Sequence, residues 1–349
     1  MKILFIVPSL KNAGPVLVAN DLVHQFVRHG HKCKVCYFDE IKELSFDCDT
    51  ERIVINRKID FDEFDIVHTH GYRPQLYVFL HRPWHAKAKF VTTMHNYLFD
   101  DFSFTYGKFK GFLYGMLYLC VNSRADKVVA LTKDAQCYYA KFFKARKLTY
   151  AYNTRICDYS LDLTADEKRQ LQTFRGDSAL LGTSSALSPL KGLDLVIQAL
   201  QGCPDVKFCI VGDGAVRKEW ERLAENLGVA DRVLFVGYKK AAYRYLPYFD
   251  AFAIPSHSEG FPLAMLEAAA FGKPIVASNL DVFKEIFTDD EIAMFDLKDK
   301  KSVATAIKRV LQDKETLSCN IKLKYEKVYS PDCFYRRYLE IYNNLLAEQ

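Results

Sequence analysis

With 349 residues, half of them apolar, the chain has material for about two domains. Its longest apolar run, Phe112 to Val121, falls well short of the ~18 residues a membrane span needs, and its N-terminus, MKILFIVPSL, is too short and too β-rich for a signal peptide, so a soluble cytoplasmic protein is expected. The net charge of +5 hides a concentration: between Arg82 and Lys147 stand 12 Lys and Arg against 4 Asp, a local excess of +8 that leaves the rest at −3.

KILFIVP opens the chain as a buried strand. Gly14 and Pro15 then introduce an amphipathic helix over Val16 to His29, with Val16, Ala19, Val23, Phe26 and Val27 supplying the helical period. Strand, glycine turn and helix make a half-Rossmann start. The three spaced glycines of a dinucleotide fingerprint are absent, which argues against a dehydrogenase. Further strands are expected at Lys32 to Phe38, Arg52 to Ile55, Asp65 to His70, Lys89 to Met94 and Asp126 to Leu131. The close pair Cys33 and Cys36 falls inside a strand that points its members to opposite faces, and no second pair completes a zinc site. Reduced thiols are expected. The Asp47/Asp49 and Asp60/Asp62 pairs lie in early polar segments and read as chance spacing.

VTTMHNY puts His95 and Asn96 at the carboxyl end of a strand, where open α/β sheets bind ligands. His68 and His70 end another strand, placed either to line a site or to cap it. The following segment, through Arg124, mixes Phe99, Phe102, Phe104, Tyr106 and Phe109 with Lys108 and Lys110. Its second half reads as an apolar helix. Three readings stay open for the whole: an ordinary solvated basic face, a lid over the core, or an interfacial element directed at anionic lipid. Nucleic-acid binding rests on the same basic stretch alone and is set aside.

Polar Asp162 to Asp177 separates this series from a second one that starts at ALLGTSSALSPLKGLDLVIQAL. That restart divides the chain into an N-terminal domain over 1–165, a C-terminal domain over 166–330 and a closing helix over 331–349. In the closing helix Ser330 caps, Pro331 starts, and Phe334, Tyr338, Ile341 and Leu345 line one face. KFCIVGDG and DRVLFVGYKK supply strands of the second domain, with Gly237 at a strand end.

The densest chemistry lies in SHSEGFPLAMLEAAAFGKPIVAS, Ser256 to Ser278. The apolar run DAFAIP before it reads as a buried parallel strand. Gly260, Phe261 and Pro262 turn the chain into a helix whose first-turn N–H groups form a seat for an anion such as a diphosphate. Glu259 stands in the loop, and Glu267 follows eight residues later inside the most apolar helix of the chain. Such a carboxylate needs hydrogen-bond donors, which a ribose diol would supply. A solvated helix edge is the other reading of Glu267.

Glu259-Gly-Phe-Pro, Glu267 and the small-residue helix ending in Gly-Lys-Pro together resemble the nucleotide-sugar motif of the retaining glycosyltransferases of family 4. The resemblance implies the α/β GT-B fold: two facing Rossmann-like domains, a cleft, and a final helix crossing back to the first domain. It implies that Glu267 holds the ribose hydroxyls and Glu259 the transferred sugar, and that the backbone of Gly260, Phe261, Pro262 and Leu263 meets the diphosphate. Lys191, in LSPLKG, corresponds to the family's phosphate lysine. The family arginine beside it is Ala186 here, with Arg155 and Lys273 as candidate replacements. His95 would stand by the sugar's reaction centre, Gly14 in the loop near the acceptor, and Tyr238 against the base. Family likeness implies no metal and no cofactor. It implies a UDP- or GDP-sugar donor, and a glycan or lipid-linked acceptor in cell-surface polysaccharide or glycolipid synthesis. The displacement is expected on one face of the sugar, the leaving diphosphate helping to deprotonate the acceptor. Ala186 keeps an alternative open, a catalytically weak nucleotide-sugar-binding subunit that supports a partner enzyme.

Overall fold

The computed structural model describes residues 1–348, with the Phe104 side chain outside the described set. The chain forms two compact units: Met1–Thr154 together with the stretch from Pro331, and Arg155–Ser330. Residues 155–165 group with the second unit. There Tyr159 packs on the Phe271 ring, and Asp162 accepts from Lys168 and Tyr248.

The first unit is built on seven strands: β1 (Lys2–Leu10), β2 (Lys32–Lys42), β3 (Asp49–Arg52), β4 (Ile66–His70), β5 (Lys89–Thr93), β6 (Lys127–Ala130) and β7 (Leu148–Tyr150). Their spatial order is β3-β2-β1-β4-β5-β6-β7, every pairing parallel. The order reverses between β1 and β4, which places the loops after those strands at a topological switch point. A parallel sheet needs both faces covered. On one face Leu4, Ile6, Val67 and Phe90 pack with Tyr77 and Phe61. On the other, Phe26 of the Gly14–Arg28 helix meets Tyr335 and Tyr342 of the closing helix, Pro331–Ala347, at ring separations of 5.1 and 5.2 Å. The closing helix therefore belongs to the first unit's core. Its buried stripe is Phe334, Tyr335, Tyr338, Tyr342 and Leu345, with Ile341 only partly buried at its edge.

Strand β3 lies three residues ahead of the expected Arg52 to Ile55. Apolar Ile53 and Ile55 drew the expectation downstream, but the edge pairing runs from Lys34↔Asp49 to Tyr37↔Arg52. Cross-strand charge fixes that register: Lys34–Glu51 at 2.6 Å and Arg52–Glu40 at 2.6 Å. The aromatic segment before residue 107 is a helix, Leu98–Tyr106, joined through Gly107 to a second, Lys108–Asn122.

The second unit carries β8 (Ala179–Ser184), β9 (Val206–Val211), β10 (Val233–Gly237), β11 (Ala251–Ile254), β12 (Ile275–Ser278) and β13 (Ile292–Phe295). They stand in the order β10-β9-β8-β11-β12-β13, again all parallel. The switch point here falls between β8 and β11. Among the described residues no helix is long and apolar enough to cross a membrane.

Candidate functional site

The loops after β8 and β11 leave the second unit's switch point side by side, and they carry Ala186, Lys191, Glu259, Gly260, Phe261 and Pro262. His257 N–H donates to the Leu190 carbonyl at 2.8 Å, tying one loop to the other. Gly192 makes this approach feasible. It holds φ +61°, and a Cβ there would stand 2.2 Å from the Pro255 carbonyl oxygen. Lys191, one residue earlier, reaches Glu259 Oε1 at 2.6 Å, and Ser256 Oγ donates to the same oxygen at 2.7 Å. Ser278 Oγ donates to the Ser256 carbonyl at 2.6 Å and fixes the strand end behind it.

From Glu259 the chain passes half-buried Gly260, then buried Phe261 and Pro262, into the helix Leu263–Ala270. Pro262 occupies the cap position of that helix, with Met265 N–H donating to its carbonyl at 3.1 Å. Phe261 lies edge-on to Tyr329 and anchors the turn. The first N–H groups of a helix have few intrahelical acceptors, which is what an anion seat requires.

Glu267 lies one turn further along this helix and is not a solvated-edge residue. Its Oε1 accepts from Arg155 Nε at 3.0 Å, with 6% of the arginine side chain and 12% of the glutamate exposed. The Arg155 carbonyl in turn accepts from Tyr325 Oη at 2.8 Å. Two sequence expectations change with this geometry. Arg155 is the partner of the Glu267 carboxylate. Lys273 donates to the Pro247 and Phe249 carbonyls at 3.0 Å each, and burial lowers its pKa. Both cations therefore have protein partners, whereas Ala186 itself is exposed. Tyr238 follows β10 and is 60% exposed.

In the first unit, His95 leaves the end of β5 half-buried. Its Nε2 lies 2.9 Å from His70 Nδ1. His68 and His70, two residues apart on β4, share one face of the sheet with ring centroids 4.4 Å apart. Both are fully buried. Tyr342 Oη meets His68 Nδ1 at 2.6 Å, and Thr93 Oγ1 meets its Nε2 at 2.8 Å. Burial, with its loss of hydration, pushes the His68 and His95 pKa values down to about 3 and that of His70 well below its ordinary value. Gly14 is exposed at the first position of its helix, after an extended Ala13.

Three of the four carboxylates in the two Asp-x-Asp spacings have protein partners: Asp47 meets His24 at 2.5 Å, Asp60 caps a short helix through Asp62 N–H, and Asp62 accepts from Lys87 N–H. Sequence reasoning named Arg155 but missed its pairing with Glu267, and it missed the role of Ser256 and the His70–His95 contact. The alternation His68-Thr-His70 carried a readable signal for the last.

The Lys108–Asn122 helix turns Gly111, Gly115, Tyr118 and Val121 inward. The two glycines leave no room for a Cβ: at Gly111 it would meet the Ser103 backbone at 2.5 Å and at Gly115 the Phe99 ring at 2.4 Å. Outward it exposes Phe109, Phe112, Leu113, Met116 and Leu117, with Phe109 at 84%. Lys108, Lys110, Lys141 and Lys144 are exposed near it in sequence. Other members of the basic stretch are structural: Arg82 pairs with Asp126 at 2.9 Å, Arg124 donates to the Phe79 and Arg82 carbonyls, and Lys147 to those of Ser123 and Ala125.

Residues 164–324 match the family described as Glycosyl transferases group 1, and residues 51–154 match Glycosyltransferase Family 4. An O-antigen biosynthesis glycosyltransferase, WclY of Escherichia coli, is 30% identical over 354 residues, covering 100% of this chain and 99% of that one. Among solved structures, Anabaena Alr3699/HepE in complex with UDP and glucose superposes with a TM-score of 0.80 at 21% identity, covering 98% and 99% of the two chains. WaaG, a glycosyltransferase involved in lipopolysaccharide biosynthesis, gives 0.73 at 15% identity, covering 97% and 99%.

Proposed function

This chain belongs to the glycosyl transferases group 1, with the GT-B fold, and on that premise we propose that it moves a sugar from a UDP-sugar to a glycan or lipid-linked acceptor, with retention, in O-antigen or related cell-surface polysaccharide synthesis. The carrying observation is the Lys191–Glu259 pair at the second switch point, in the loop that leads into the Leu263–Ala270 helix. An ammonium has three donors, so Lys191 can keep Glu259 and still meet a diphosphate oxygen. The remaining Glu267 oxygen is left for the ribose diol while Arg155 holds Oε1. Lys191 and the helix N-terminus stabilise the charge of the departing diphosphate. That diphosphate takes the acceptor's proton as the acceptor oxygen bonds to the anomeric carbon on the same face. His95 attends the transferred sugar, Gly14 the acceptor, and Tyr238 the base. The step as proposed uses no metal or cofactor. The UDP complex of HepE favours UDP, and a GDP-sugar is the other donor to test.

Peripheral contact with an anionic membrane is part of the same proposal. It is supported by the exposed apolar stripe of the Lys108–Asn122 helix and the exposed lysines close to it in sequence. A second reading, the weak binding subunit, is favoured by Ala186. Hydrolysis of radiolabelled UDP- and GDP-sugars by the purified chain alone separates enzyme from subunit.

A further inference from the structure

We infer that His70 is a positioning residue that fixes His95 in its Nδ1–H form, so that His95 meets substrate as a hydrogen-bond donor and not as a base. The inference rests on the proposed place of His95 beside the transferred sugar.

The 2.9 Å contact joins His70 Nδ1 to His95 Nε2, and between two neutral imidazoles one nitrogen must donate and the other accept. Two arrangements satisfy it. In the first, His70 carries its proton on Nδ1 and donates, which leaves His70 Nε2 a bare lone pair and puts the His95 proton on Nδ1. In the second, His95 donates from Nε2, and His70 must carry its proton on Nε2. That nitrogen is buried and has no hydrogen-bond partner among the described residues. His68 next to it offers none, because Tyr342 and Thr93 occupy both its nitrogens. The second arrangement therefore strands a buried N–H, and buried unpaired donors are the rarer and costlier defect. A bare lone pair in the apolar setting by Phe5 is tolerated more readily. Burial disfavours a charged form of either ring, which removes the doubly protonated alternative.

In the favoured arrangement the His95 Nε2 lone pair is taken by His70 and its Nδ1 bears the proton. No basic nitrogen remains on His95. It orients a substrate oxygen by donating to it, and the proton lost by the acceptor goes to the leaving diphosphate instead.

The test is long-range proton–nitrogen correlation on the full chain with nitrogen-15-labelled histidine. His95 is expected to show a protonated Nδ1 and an unprotonated Nε2. An Nε2–H ring at His95 overturns the inference without touching the transferase reading. His70→Asn keeps an amide donor near the Nδ1 position and His70→Leu removes it. The leucine variant should lose roughly tenfold in kcat, about 1.4 kcal/mol, with a mixed His95 tautomer, while asparagine largely restores both. Equal loss in the two variants, or none in the leucine one, overturns the positioning role. Should the leucine variant fail to fold, the wild-type spectrum alone still decides the tautomer. Unchanged transfer in His95→Ala overturns the reading of the site itself.

Discussion

Arg155 Nε donates to Glu267 Oε1 at 3.0 Å, and both side chains are almost wholly withdrawn from solvent. A carboxylate held on one side by a guanidinium presents its other oxygen in a fixed direction. This is a way to aim an acceptor at a diol without relying on the diol to order it.

Replacing Glu267 therefore has two consequences. Glu267→Ala should weaken nucleotide binding by roughly 1.5–3 kcal/mol, the range for a hydrogen bond to a charged group. It should also lower stability, because removing one member of a buried ion pair costs about 3–5 kcal/mol. Glu267→Gln should lose less of both. Titration calorimetry with UDP and GDP, beside a denaturation curve, checks the pair of effects. A folded alanine variant with unaltered affinity contradicts the ribose role.

At Ala186 the side chain is exposed, so Ala186→Arg should fold as the parent does. Should the new guanidinium reach the diphosphate, donor affinity rises while kcat need not, since equal gains in ground and transition states leave the barrier unchanged. Steady-state KM and kcat measure the split. Loss of affinity in a folded variant shows that this loop does not border the phosphate.

Acid sensitivity follows from His68 and His70. Their pKa values are lowered in the folded chain, His68 to about 3 against an ordinary 6.5, so between those values the unfolded chain binds more protons. Stability is complete above about pH 6.5 and falls as pH drops through the window below it, by up to ~1.4 kcal/mol per pH unit for each histidine. Exposed carboxylates such as Asp162, lowered to about 2, add their effect only below the ordinary carboxylate range. Urea midpoints for the first unit's transition from pH 7 to pH 5 should decline. A flat profile contradicts neutral buried imidazoles.

Membrane contact should need both charge and apolar surface. Each lysine near an anionic surface contributes about 1 kcal/mol, so changing Lys108, Lys110, Lys141 and Lys144 to Glu should release the protein from anionic vesicles. Changing Phe109, Phe112 and Leu113 to Ser should weaken binding even at low salt, where electrostatics is strongest. Nucleotide affinity should stay as it was in both. Vesicle sedimentation reads the outcome, and indifference to anionic vesicles at low salt contradicts the contact.

Much of the second unit was legible in the sequence. Its strands are short apolar runs, and Glu259, Gly260-Phe261-Pro262 and Glu267 stand in the loop and helix their local chemistry implied. What was hidden depends on distance along the chain. Arg155 meets a carboxylate 112 residues away, and Lys273 sits among carbonyls 24 and 26 residues before it. No spacing rule reports such pairs. The Leu98–Tyr106 helix was obscured by its aromatics, which lower helix propensity, although the Phe99 ring packs against Gly115 of the next helix. Strand β3 was misplaced because an edge strand held by charge carries no apolar period.

The central claim is that the purified chain turns over a nucleotide sugar with Lys191 and Glu259 in attendance. The most direct measurement is release of nucleotide diphosphate from radiolabelled UDP- and GDP-sugars, for the parent chain and for Glu259→Gln and Lys191→Met. We expect slow hydrolysis of one donor by the parent and at least a tenfold loss in each variant, a barrier change of about 1.4 kcal/mol or more. Tight nucleotide binding with no turnover of any donor, alone or with acceptor extracts, would contradict it.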